Sequence, residues 1–435
     1  MKKQTSILAV MVLLLAQQAA CARENYAAAT EGRPVINQSY FGMHFHRLEV
    51  APGERMTLTQ WPDQLVGSIR LWDSGTRWAD IAPSGGQWRF DRMDSYVQNA
   101  IGQGASIVYT LGSTPRWAAS RPDESCPYGP NSGCASEPVR MAHWEEYVRR
   151  VVERYKGRIF AYELWNEPFF SDMRPKKSDS DFFYGPVSQM VEMAKIARKV
   201  LDELDPKAIL TTPGFTGPVG QMEMLLNSGG KQYVQSISYH FYADHIDQFT
   251  QQILAVRSIM KRQHVEQMPL WNTETGLEVH LADKPLPRGA KAWTRSDTAS
   301  LMSQFLVFGA AAGLKHYYYY AWDNERSGMV GPQSVRQPAR DSYETTRRWL
   351  VGATMQGCDA LLPSGVVCYG DLAGKRFAIA WATKDAMHTI SAPANQWITS
   401  VENLMTTATQ AVIMKERTMK LMLGSEPVRI LFGAQ

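Results

Sequence analysis

The feature that most restricts the fold of this chain is the regular alternation of strand-like and helix-like runs between residues 40 and 355. Eight short apolar runs predict β-strands, and they lie at Tyr40–Phe45, Ser68–Trp72, Ser106–Leu111, Ile159–Trp165, Ala208–Thr212, Ile237–Tyr242, Leu270–Glu274 and His316–Trp322. Runs with helical periodicity lie between them, most clearly at Asp91–Gly102, Met141–Tyr155, Val187–Leu204, Ile246–Gln263, Thr298–Ala312 and Tyr343–Val351. Helices are also expected after the first and fifth strands, near Leu58–Leu65 and Gln221–Leu226, where the patterns are weakest.

Eight such units predict an α/β fold, a (β/α)8 TIM barrel with its active site at the carboxyl ends of the strands. The alternative is a doubly wound open sheet, but no glycine-rich dinucleotide loop follows the first strand. After Met355 the pattern changes to short β-type runs, which predict a small antiparallel β-sandwich. These runs are Val366–Tyr369, Phe377–Ala382, Ile398–Val401, Ala411–Met414, Thr418–Leu423 and Val428–Phe432. We therefore expect a barrel domain over residues 30–355 and a β-sandwich domain over residues 356–435, to which residues 30–38 could contribute.

The N-terminus has the features of a signal peptide over residues 1–22. Lys2 and Lys3 precede an apolar segment, Ile7–Ala16, that is too short to span a membrane as a mature helix. The sequence Ala20-Cys21-Ala22 fits cleavage for soluble secretion, whereas Ala19-Ala20-Cys21 resembles the end of a lipobox that would leave Cys21 lipidated. We favour release into the periplasm or medium, with membrane attachment only if Cys21 carries lipid.

The four remaining cysteines form two local pairs, Cys126 with Cys134 and Cys358 with Cys368. In a chain exported to an oxidising compartment, each pair predicts a disulfide that closes a short loop. Free buried thiols are the alternative. A zinc site is not expected, because neither pair has Cys-x-x-Cys spacing or nearby histidines.

The charge distribution argues against nucleic acid as a partner, because the net charge is only +4 and no basic run is present. Aromatic residues reach 11% and include 13 tryptophans, many of them beside predicted strand ends. Tryptophans near loops suit stacking on sugar rings.

Two carboxylates at strand ends are the strongest candidates for catalysis. The fourth predicted strand runs into Trp165-Asn166-Glu167-Pro168, and the seventh ends at Glu274. Proline cannot extend the strand ladder, so Glu167 is expected at the carboxyl end of its strand. Retaining glycosidases need two such carboxyls about 5–5.5 Å apart, one as proton donor and one as nucleophile.

Other charged residues near these strands have competing interpretations. Arg70, at the end of the second strand, could pair with Glu274 and lower its pKa. Glu163 should share a face with Glu167 deeper in the barrel, where we treat it as a structural partner of Arg70. Glu278 is a competitor for the role of nucleophile because it lies close to Glu274 in sequence.

The motif Trp165-Asn166-Glu167-Pro168, with Glu274, Arg70, His240-Phe241-Tyr242 and Trp322 on other strands, resembles glycoside hydrolase clan A. The appended β-domain and the loop Leu111–Trp117 look most like family 39 of that clan, which includes β-xylosidases, α-L-iduronidases and bacterial exopolysaccharide endoglycosidases. The resemblance implies retention of configuration, with Glu167 as acid/base and Glu274 as nucleophile. It further implies that Asn166 binds the sugar 2-hydroxyl, Tyr242 orients Glu274, His240 lines the site and Trp322 is the sugar platform.

The remaining candidates are aromatic and histidine side chains beside the strand ends. Trp117 is a candidate sugar contact, as are three other tryptophans whose commoner role is packing, Trp72, Trp78 and Trp271. His44 and His46 alternate at the end of the first strand, and His44 could face the cleft. We expect no metal site there, because no third ligand is evident.

The sequence thus predicts an exported retaining glycosidase that acts on a polysaccharide, with an exopolysaccharide as the preferred substrate. No cofactor is expected, and the chain is expected to act as a monomer. Two alternatives stay open: a glycan-binding scaffold of a polysaccharide export system that does not cleave its ligand, and a transglycosylase that uses the same residues.

Overall fold

The computed structural model describes residues 34–48, 59–62, 64–279, 293–324, 327–330, 335–361, 364–406 and 409–433. The predicted signal peptide and Cys21 lie outside these ranges. Within them, no helix combines the length and the apolar character required to traverse a bilayer. The chain forms two compact units, one made of Gln38–Trp293 with Leu314–Gln337, and the other of the described residues up to Asn37, Thr294–Gly313 and the chain from Pro338 onward.

The first unit contains an eight-stranded parallel barrel. Its strands, in chain order, are Phe41–His44, Ser68–Leu71, Ser106–Thr110, Ala161–Glu163, Ile209–Thr211, Ile237–His240, Leu270–Thr275 and Tyr317–Tyr319. Around the sheet they follow the order five, four, three, two, one, eight, seven, six. Parallel bridges between Thr211 and Ser236 and between Phe215 and Tyr239 join the fifth and sixth strands. The predicted TIM barrel is therefore confirmed. Seven of the eight predicted strands contain an observed one, and the strand predicted at Leu270–Glu274 extends one residue further, to Thr275.

Barrel helices of this unit form where the sequence places apolar residues three or four positions apart. Their bounds are Asp91–Gly102, Met141–Tyr155, Val187–Leu204, Gly220–Asn227 and Ile246–Arg262, with a further short helix at Trp78–Ile81. In Met141–Tyr155 the buried side chains include Trp144, Val148 and Val151, which lie on one face. The helix expected near Leu58–Leu65 is absent from the described residues of that range.

The second unit contains two antiparallel sheets and two helices, Arg295–Ala311 and Pro338–Leu350. The six-stranded sheet has the spatial order Ala353–Leu361, Gly365–Leu372, Lys375–Ala382, Val428–Gly433, Trp397–Asn403 and Thr409–Glu416, and the two-stranded sheet pairs Ala386–Ser391 with Thr418–Leu423. Ile390 and Leu423 of the smaller sheet share one buried core with Ile398 and Ile430 of the larger sheet. This arrangement confirms a C-terminal β-sandwich. Two of its strands, Ala353–Leu361 and Ala386–Ser391, were not among the predicted runs.

The second unit also shows how the chain before the barrel is held. The amide of Ile36 donates to the carbonyl of Ala353, and the amide of Gly352 donates to the carbonyl of Ile36, both at 2.8 Å. By compactness, helices Arg295–Ala311 and Pro338–Leu350 group with the sandwich. The domain boundaries expected at residues 30, 355 and 356 stay a prediction.

Both expected disulfides are present. Cys126 is bonded to Cys134 across a loop of the barrel unit, at a sequence separation of 8. Cys358 is bonded to Cys368, and the two residues are direct register partners on neighbouring antiparallel strands of the sandwich. Each bridge closes a local loop, as the spacing of the cysteines predicted.

We predict that Ile398→Ala destabilises the β-sandwich, because Ile398 is fully buried in the core between its sheets. Loss of this side chain should lower the free energy of unfolding by roughly 2–5 kcal/mol. Denaturant unfolding followed by tryptophan fluorescence measures it. The control is Met422→Ala in the same unit, where the side chain is 64% exposed and the change should stay within about 0.5 kcal/mol. Equal effects of the two substitutions would contradict the assigned core.

Candidate active site

The corner after the fourth barrel strand positions Glu167. The backbone amide of Glu167 donates to the carbonyl of Gly214 at 2.8 Å, and the amide of Gly214 donates to the carbonyl of Trp165 at 2.9 Å. Glu167 has φ +41°, a left-handed conformation that a glutamate seldom adopts. The flanking hydrogen bonds and Pro168 hold this conformation, and backbone strain of this kind is concentrated at functional sites.

Gly214 leaves the space into which the side chains of the site extend. A Cβ at this position would lie 2.2 Å from Nε2 of His240 and 2.9 Å from Oε1 of Glu163. Any other residue would therefore displace a buried side chain of the site. This requirement follows from close approach between three strands and was not visible in the sequence.

Arg70 is the fully buried centre of the site. Its Nε donates to Oε2 of Glu163 at 2.7 Å, and its Nη2 donates both to that oxygen and to Oδ1 of Asn166, the latter at 2.8 Å. Its Nη1 donates to Oε2 of Glu274 at 2.8 Å. The hydroxyl of Thr110 also donates to Glu163, at 2.8 Å. One guanidinium thus connects residues from the second, fourth and seventh strands.

The two predicted catalytic glutamates converge over this centre. Nδ1 of His240 lies 2.7 Å from Oε1 of Glu167, and the phenol of Tyr242 donates to Oε1 of Glu274 at 2.7 Å. One oxygen of Glu167, one nitrogen of His240 and one oxygen of Glu274 all lie within 4.8 Å of one another. Carboxyls this close match the spacing of about 5–5.5 Å in retaining glycosidases and not the 6.5–9.5 Å of inverting ones.

Burial dominates the electrostatics of Glu274. Desolvation raises the pKa of Glu274 above its ordinary value, the charges of His240 and Arg70 lower it, and the Glu167 carboxylate raises it again. Arg70 pairs with Glu274 and its charge lowers the Glu274 pKa, as predicted, but the net pKa is raised because the cost of burying a charge exceeds the attraction of a guanidinium shared with Glu163. The pKa of Tyr242 is raised well above its usual value, mainly by burial, so its phenol stays protonated and donates to Glu274.

Glu167, His240 and Glu274 are also the one group of described residues with the spacing of a metal-binding cluster. The atoms they would offer already have partners, since Nδ1 of His240 contacts Glu167 and the two oxygens of Glu274 accept from Tyr242 and Arg70. The positive charge of Arg70 beside Glu274 opposes a second cation. Acid–base chemistry accounts better for the arrangement.

The fold has been found in several glycoside hydrolases of known structure, whereas no family model matches the sequence. A family 39 glycoside hydrolase from Bacteroides cellulosilyticus has a TM-score of 0.65 and 14% identity, with 92% of this chain and 83% of that chain covered. A family 39 β-xylosidase from Caulobacter crescentus has a TM-score of 0.58 and 13% identity, covering 92% and 98%. A family 30 subfamily 8 xylanase from Clostridium acetobutylicum has a TM-score of 0.60 and 14% identity, covering 86% and 93%.

These similarities cover 86–92% of this chain. The resemblance to clan A and family 39 that the sequence motifs indicated is therefore confirmed at the level of the fold. At 14% identity or less, these similarities show that the fold is shared. The chemistry of this chain depends on the residues of its own site.

The structure disagrees with the predicted platform role of Trp322. This residue is only 2% exposed, and its ring packs against Phe45, so neither face is open to a sugar. Two positions earlier, Tyr320 is half-buried and lies edge-on to His44 and His46. The partly exposed aromatic ring after the eighth strand is therefore Tyr320.

Trp117 and His44 have different surroundings. The indole of Trp117 donates to the carbonyl of Ala82 at 2.8 Å, and its ring packs edge-on against Trp78 and His143, which is a local packing role. His44 is buried beside the site, and its Nε2 lies 3.0 Å from the carbonyl of Thr273. The sugar contacts assigned to these two residues stay predictions, with His44 the better placed.

Glu278, the competing carboxylate, is exposed. It lines a cavity of about 300 Å³ beside Tyr242, together with Asp244, Gln248 and Trp293. The structure thus supports Glu274 over Glu278 as the residue that Arg70 and Tyr242 hold.

Sequence reasoning missed the second group of polar side chains at this site. Asp73 accepts hydrogen bonds from the phenols of Tyr128 and Tyr320, the latter at 3.0 Å. These residues follow three different strands, and no motif joins them in the sequence. Asp73 directly follows Trp72 after the second strand, so a polar residue at a barrel strand end was the one signal available.

We predict that Glu274→Gln stabilises the folded chain at neutral pH. Burial raises the folded-state pKa of Glu274 above its ordinary value of 4.5, so the folded state binds the proton more tightly than the unfolded state. That contribution to stability is present below pH 4.5 and is lost as the pH rises through the folded-state pKa. Glutamine does not ionise, and its amide oxygen can still accept from Arg70.

Thermal unfolding across a pH series measures this effect. The Tm of Glu274→Gln should exceed that of the wild type at pH 7, and the difference should shrink towards acid pH. Glu266→Gln, at an exposed position, is the surface control. A variant that is less stable than the wild type at neutral pH would contradict the cost assigned to burying Glu274.

Proposed function

We propose that the protein is a retaining glycoside hydrolase with Glu167 as acid/base and Glu274 as nucleophile. The observation that supports this proposal is the close approach of the two carboxyls, with one oxygen of each within 4.8 Å of the other, at the ends of the fourth and seventh barrel strands. Glu274 is held at both oxygens, by Arg70 and Tyr242, and Glu167 by His240.

In the first step, Glu167 protonates the glycosidic oxygen while Glu274 attacks the anomeric carbon. The hydrogen bonds from Arg70 and Tyr242 favour the ionised form of Glu274 and aim it, against the burial that favours protonation. In the second step, Glu167 takes a proton from water, which hydrolyses the glycosyl-enzyme. Asn166, whose Oδ1 accepts from Arg70, would use its amide nitrogen for the 2-hydroxyl of the sugar.

The proposed substrate is a polysaccharide outside the cytoplasm. The structural neighbours include a xylanase and a β-xylosidase, so a glycan of hydroxyl-rich sugars is the class that they favour. An exopolysaccharide made by the same cell is our preferred substrate, on the basis of the resemblance to family 39. Two disulfides fit an exported protein, and release into the periplasm or medium is part of the proposal.

Covalent trapping tests the proposed nucleophile. The protein is incubated with a panel of 2-deoxy-2-fluoroglycosyl fluorides, and the mass of the intact chain and of its peptides is then measured. We expect one glycosyl unit on the peptide that contains Glu274, and no labelling of Glu274→Gln. The control is Glu278→Gln, which should be labelled at the wild-type rate because that side chain is exposed and the donors of Arg70 go to Glu163, Asn166 and Glu274.

Turnover of crude exopolysaccharide tests the acid/base residue. Glu167→Gln should lower the rate by roughly 10²–10⁴-fold, the usual contribution of a positioned proton donor. A label on Glu163 or Glu278 would leave a glycosidase but overturn the site. Unchanged turnover and product size in both Glu167→Gln and Glu274→Gln would overturn the enzyme itself and favour a glycan-binding scaffold.

A further inference from the structure

Asp73 is a third carboxylate at the mouth of the barrel, and the proposed mechanism does not use it. It follows the second strand, three residues after Arg70, and is half-buried. Its charge acts on the catalytic centre, because it contributes to raising the pKa of Glu274 and of Arg70. Asp73 therefore lies near enough to Arg70 and Glu274 to affect both, with part of its surface open.

The hydrogen bonds of Asp73 leave acceptor capacity unused. Its Oδ1 accepts from the phenol of Tyr128 and its Oδ2 from the phenol of Tyr320, and no described cation lies within ion-pairing distance of it. A carboxylate can accept about four hydrogen bonds. Burial and the negative charge of Asp73 raise the pKa of both phenols, so both remain donors. About two acceptor positions on Asp73 therefore remain for a ligand.

Tyr128 reaches Asp73 from the disulfide loop, Cys126–Cys134. The guanidinium of Arg77 lies 3.5 Å from the centre of the Tyr128 ring, and Phe182 packs against the same ring at 5.6 Å. The Cys126–Cys134 bond limits the movement of this loop. Tyr128 is therefore held in a fixed position beside Asp73.

His44, which lies beside Tyr320, carries a ring nitrogen without a partner among the described residues. Its ring is 1% exposed and lies edge-on to Tyr320 at 5.2 Å. Burial lowers the pKa of His44 well below its usual value, so the ring is neutral and its Nε2–H donates to the carbonyl of Thr273. Nδ1 is then a lone-pair acceptor, and it has no partner among the described residues.

We propose that Asp73, positioned by Tyr128 and Tyr320, is a specificity-determining residue that binds hydroxyls of the sugar attacked by Glu274 and excludes sugars that carry a carboxylate. The inference rests on the proposed glycosidase function. Asp73 offers acceptors, which suit the hydroxyl donors of a neutral sugar. A uronic acid would bring a negative charge next to Asp73 and Glu274, and like charges that are partly desolvated repel strongly.

The expected exclusion of uronic acids depends on which cations near Asp73 and Glu274 are already engaged by the protein. Arg70 is the buried cation nearest Glu274, and its donors are occupied by Glu163, Asn166 and Glu274. Arg77 is bonded through Nε and Nη2 to Asp80, while its Nη1 has no partner among the described residues. His46 is paired with Asp323. The proposed substrate class is therefore a polysaccharide whose cleaved unit is a neutral, hydroxyl-rich sugar.

Trapping kinetics test this proposal, because the trapping reagents need only the sugar site next to Glu274. The probes are the 2-deoxy-2-fluoro fluorides of glucose, mannose, galactose and xylose, with the glucuronic acid analogue as the charged counterpart. For the wild type we expect labelling of Glu274 by a neutral reagent and none by the glucuronyl reagent. In Asp73→Asn the neutral reagent should react roughly ten- to a hundred-fold more slowly at low concentration, because hydrogen bonds to a charged acceptor are lost.

The concentration dependence separates binding from a general loss of structure. In Asp73→Asn the half-saturating concentration should rise while the maximal rate changes little, and the relative rate with the glucuronyl reagent should increase because a negative charge has been removed. Tyr128→Phe and Tyr320→Phe should show smaller shifts of the same kind. The matched control is Asp123→Asn, an exposed aspartate paired with Arg116 near the same loop, which should behave as the wild type.

Each outcome decides between the two proposals. Equal kinetics of the wild type and Asp73→Asn, or faster labelling by the glucuronyl reagent in the wild type, would overturn the role of Asp73 while leaving Glu274 as nucleophile. If no reagent labels Glu274 in the wild type and no crude polysaccharide is cleaved, the glycosidase function fails, and the role of Asp73 fails with it. Thermal unfolding of each variant confirms that the folded chain is being compared.

Discussion

The guanidinium of Arg70 is the interaction on which the architecture of the site depends. It is fully buried and donates to Glu163, Asn166 and Glu274, so three barrel strands meet at one cation. A buried charge costs several kcal/mol unless its hydrogen bonds are complete. Because Arg70 is the cation that pairs with both Glu163 and Glu274, its removal would leave two buried carboxylates without that partner, so Arg70 and its acceptors behave as a unit. The fixed positions of the side chains at the mouth of the barrel follow from this mutual dependence.

The sharing of Arg70 also explains how two buried glutamates on facing strands acquire different roles. Glu163 receives two donors of Arg70 and the hydroxyl of Thr110 on a single oxygen. Glu274 receives one donor of Arg70 and the phenol of Tyr242, and the pKa of Glu274 remains raised by burial. All three bonds to Glu163 fall on one oxygen of a fully buried side chain, whereas both oxygens of Glu274 are held and its side chain is 7% exposed. The proposed nucleophile thus combines a fixed orientation with access to the cleft.

Local sequence patterns were sufficient for the barrel and for the two glutamates. Strand and helix periodicities are properties of neighbouring residues, and the corner before Pro168 is written in four consecutive positions. Strand Ala353–Leu361 escaped prediction because its run Gln356-Gly357-Cys358-Asp359 has no alternation of apolar and polar residues. Strand Ala386–Ser391 buries His388 and exposes Met387, which reverses the pattern expected from polarity.

The hydrogen-bonded group of Asp73, Tyr128 and Tyr320 could not be predicted for a different reason. Asp73, Tyr128 and Tyr320 are up to 247 residues apart, and their hydrogen bonds depend on where three loops meet above the barrel. The same limit explains the error at Trp322, since the turn after the eighth strand decides which aromatic ring faces the cleft. The residues after a strand have no periodic pattern, so the sequence does not indicate which of their side chains face the cleft.

The two parts of the site are consequently stabilised in different ways. The proposed catalytic centre around Arg70 is held by buried charges on strands. The group around Asp73 is held by phenols, a cation–π contact between Arg77 and Tyr128, and a disulfide-closed loop. A substitution of Asp73, Tyr128 or Tyr320 removes a hydrogen bond or a charge without leaving Arg70 unpaired. The polar groups around Asp73 can therefore change with the loops, while the positions of Glu167 and Glu274 depend on the barrel itself.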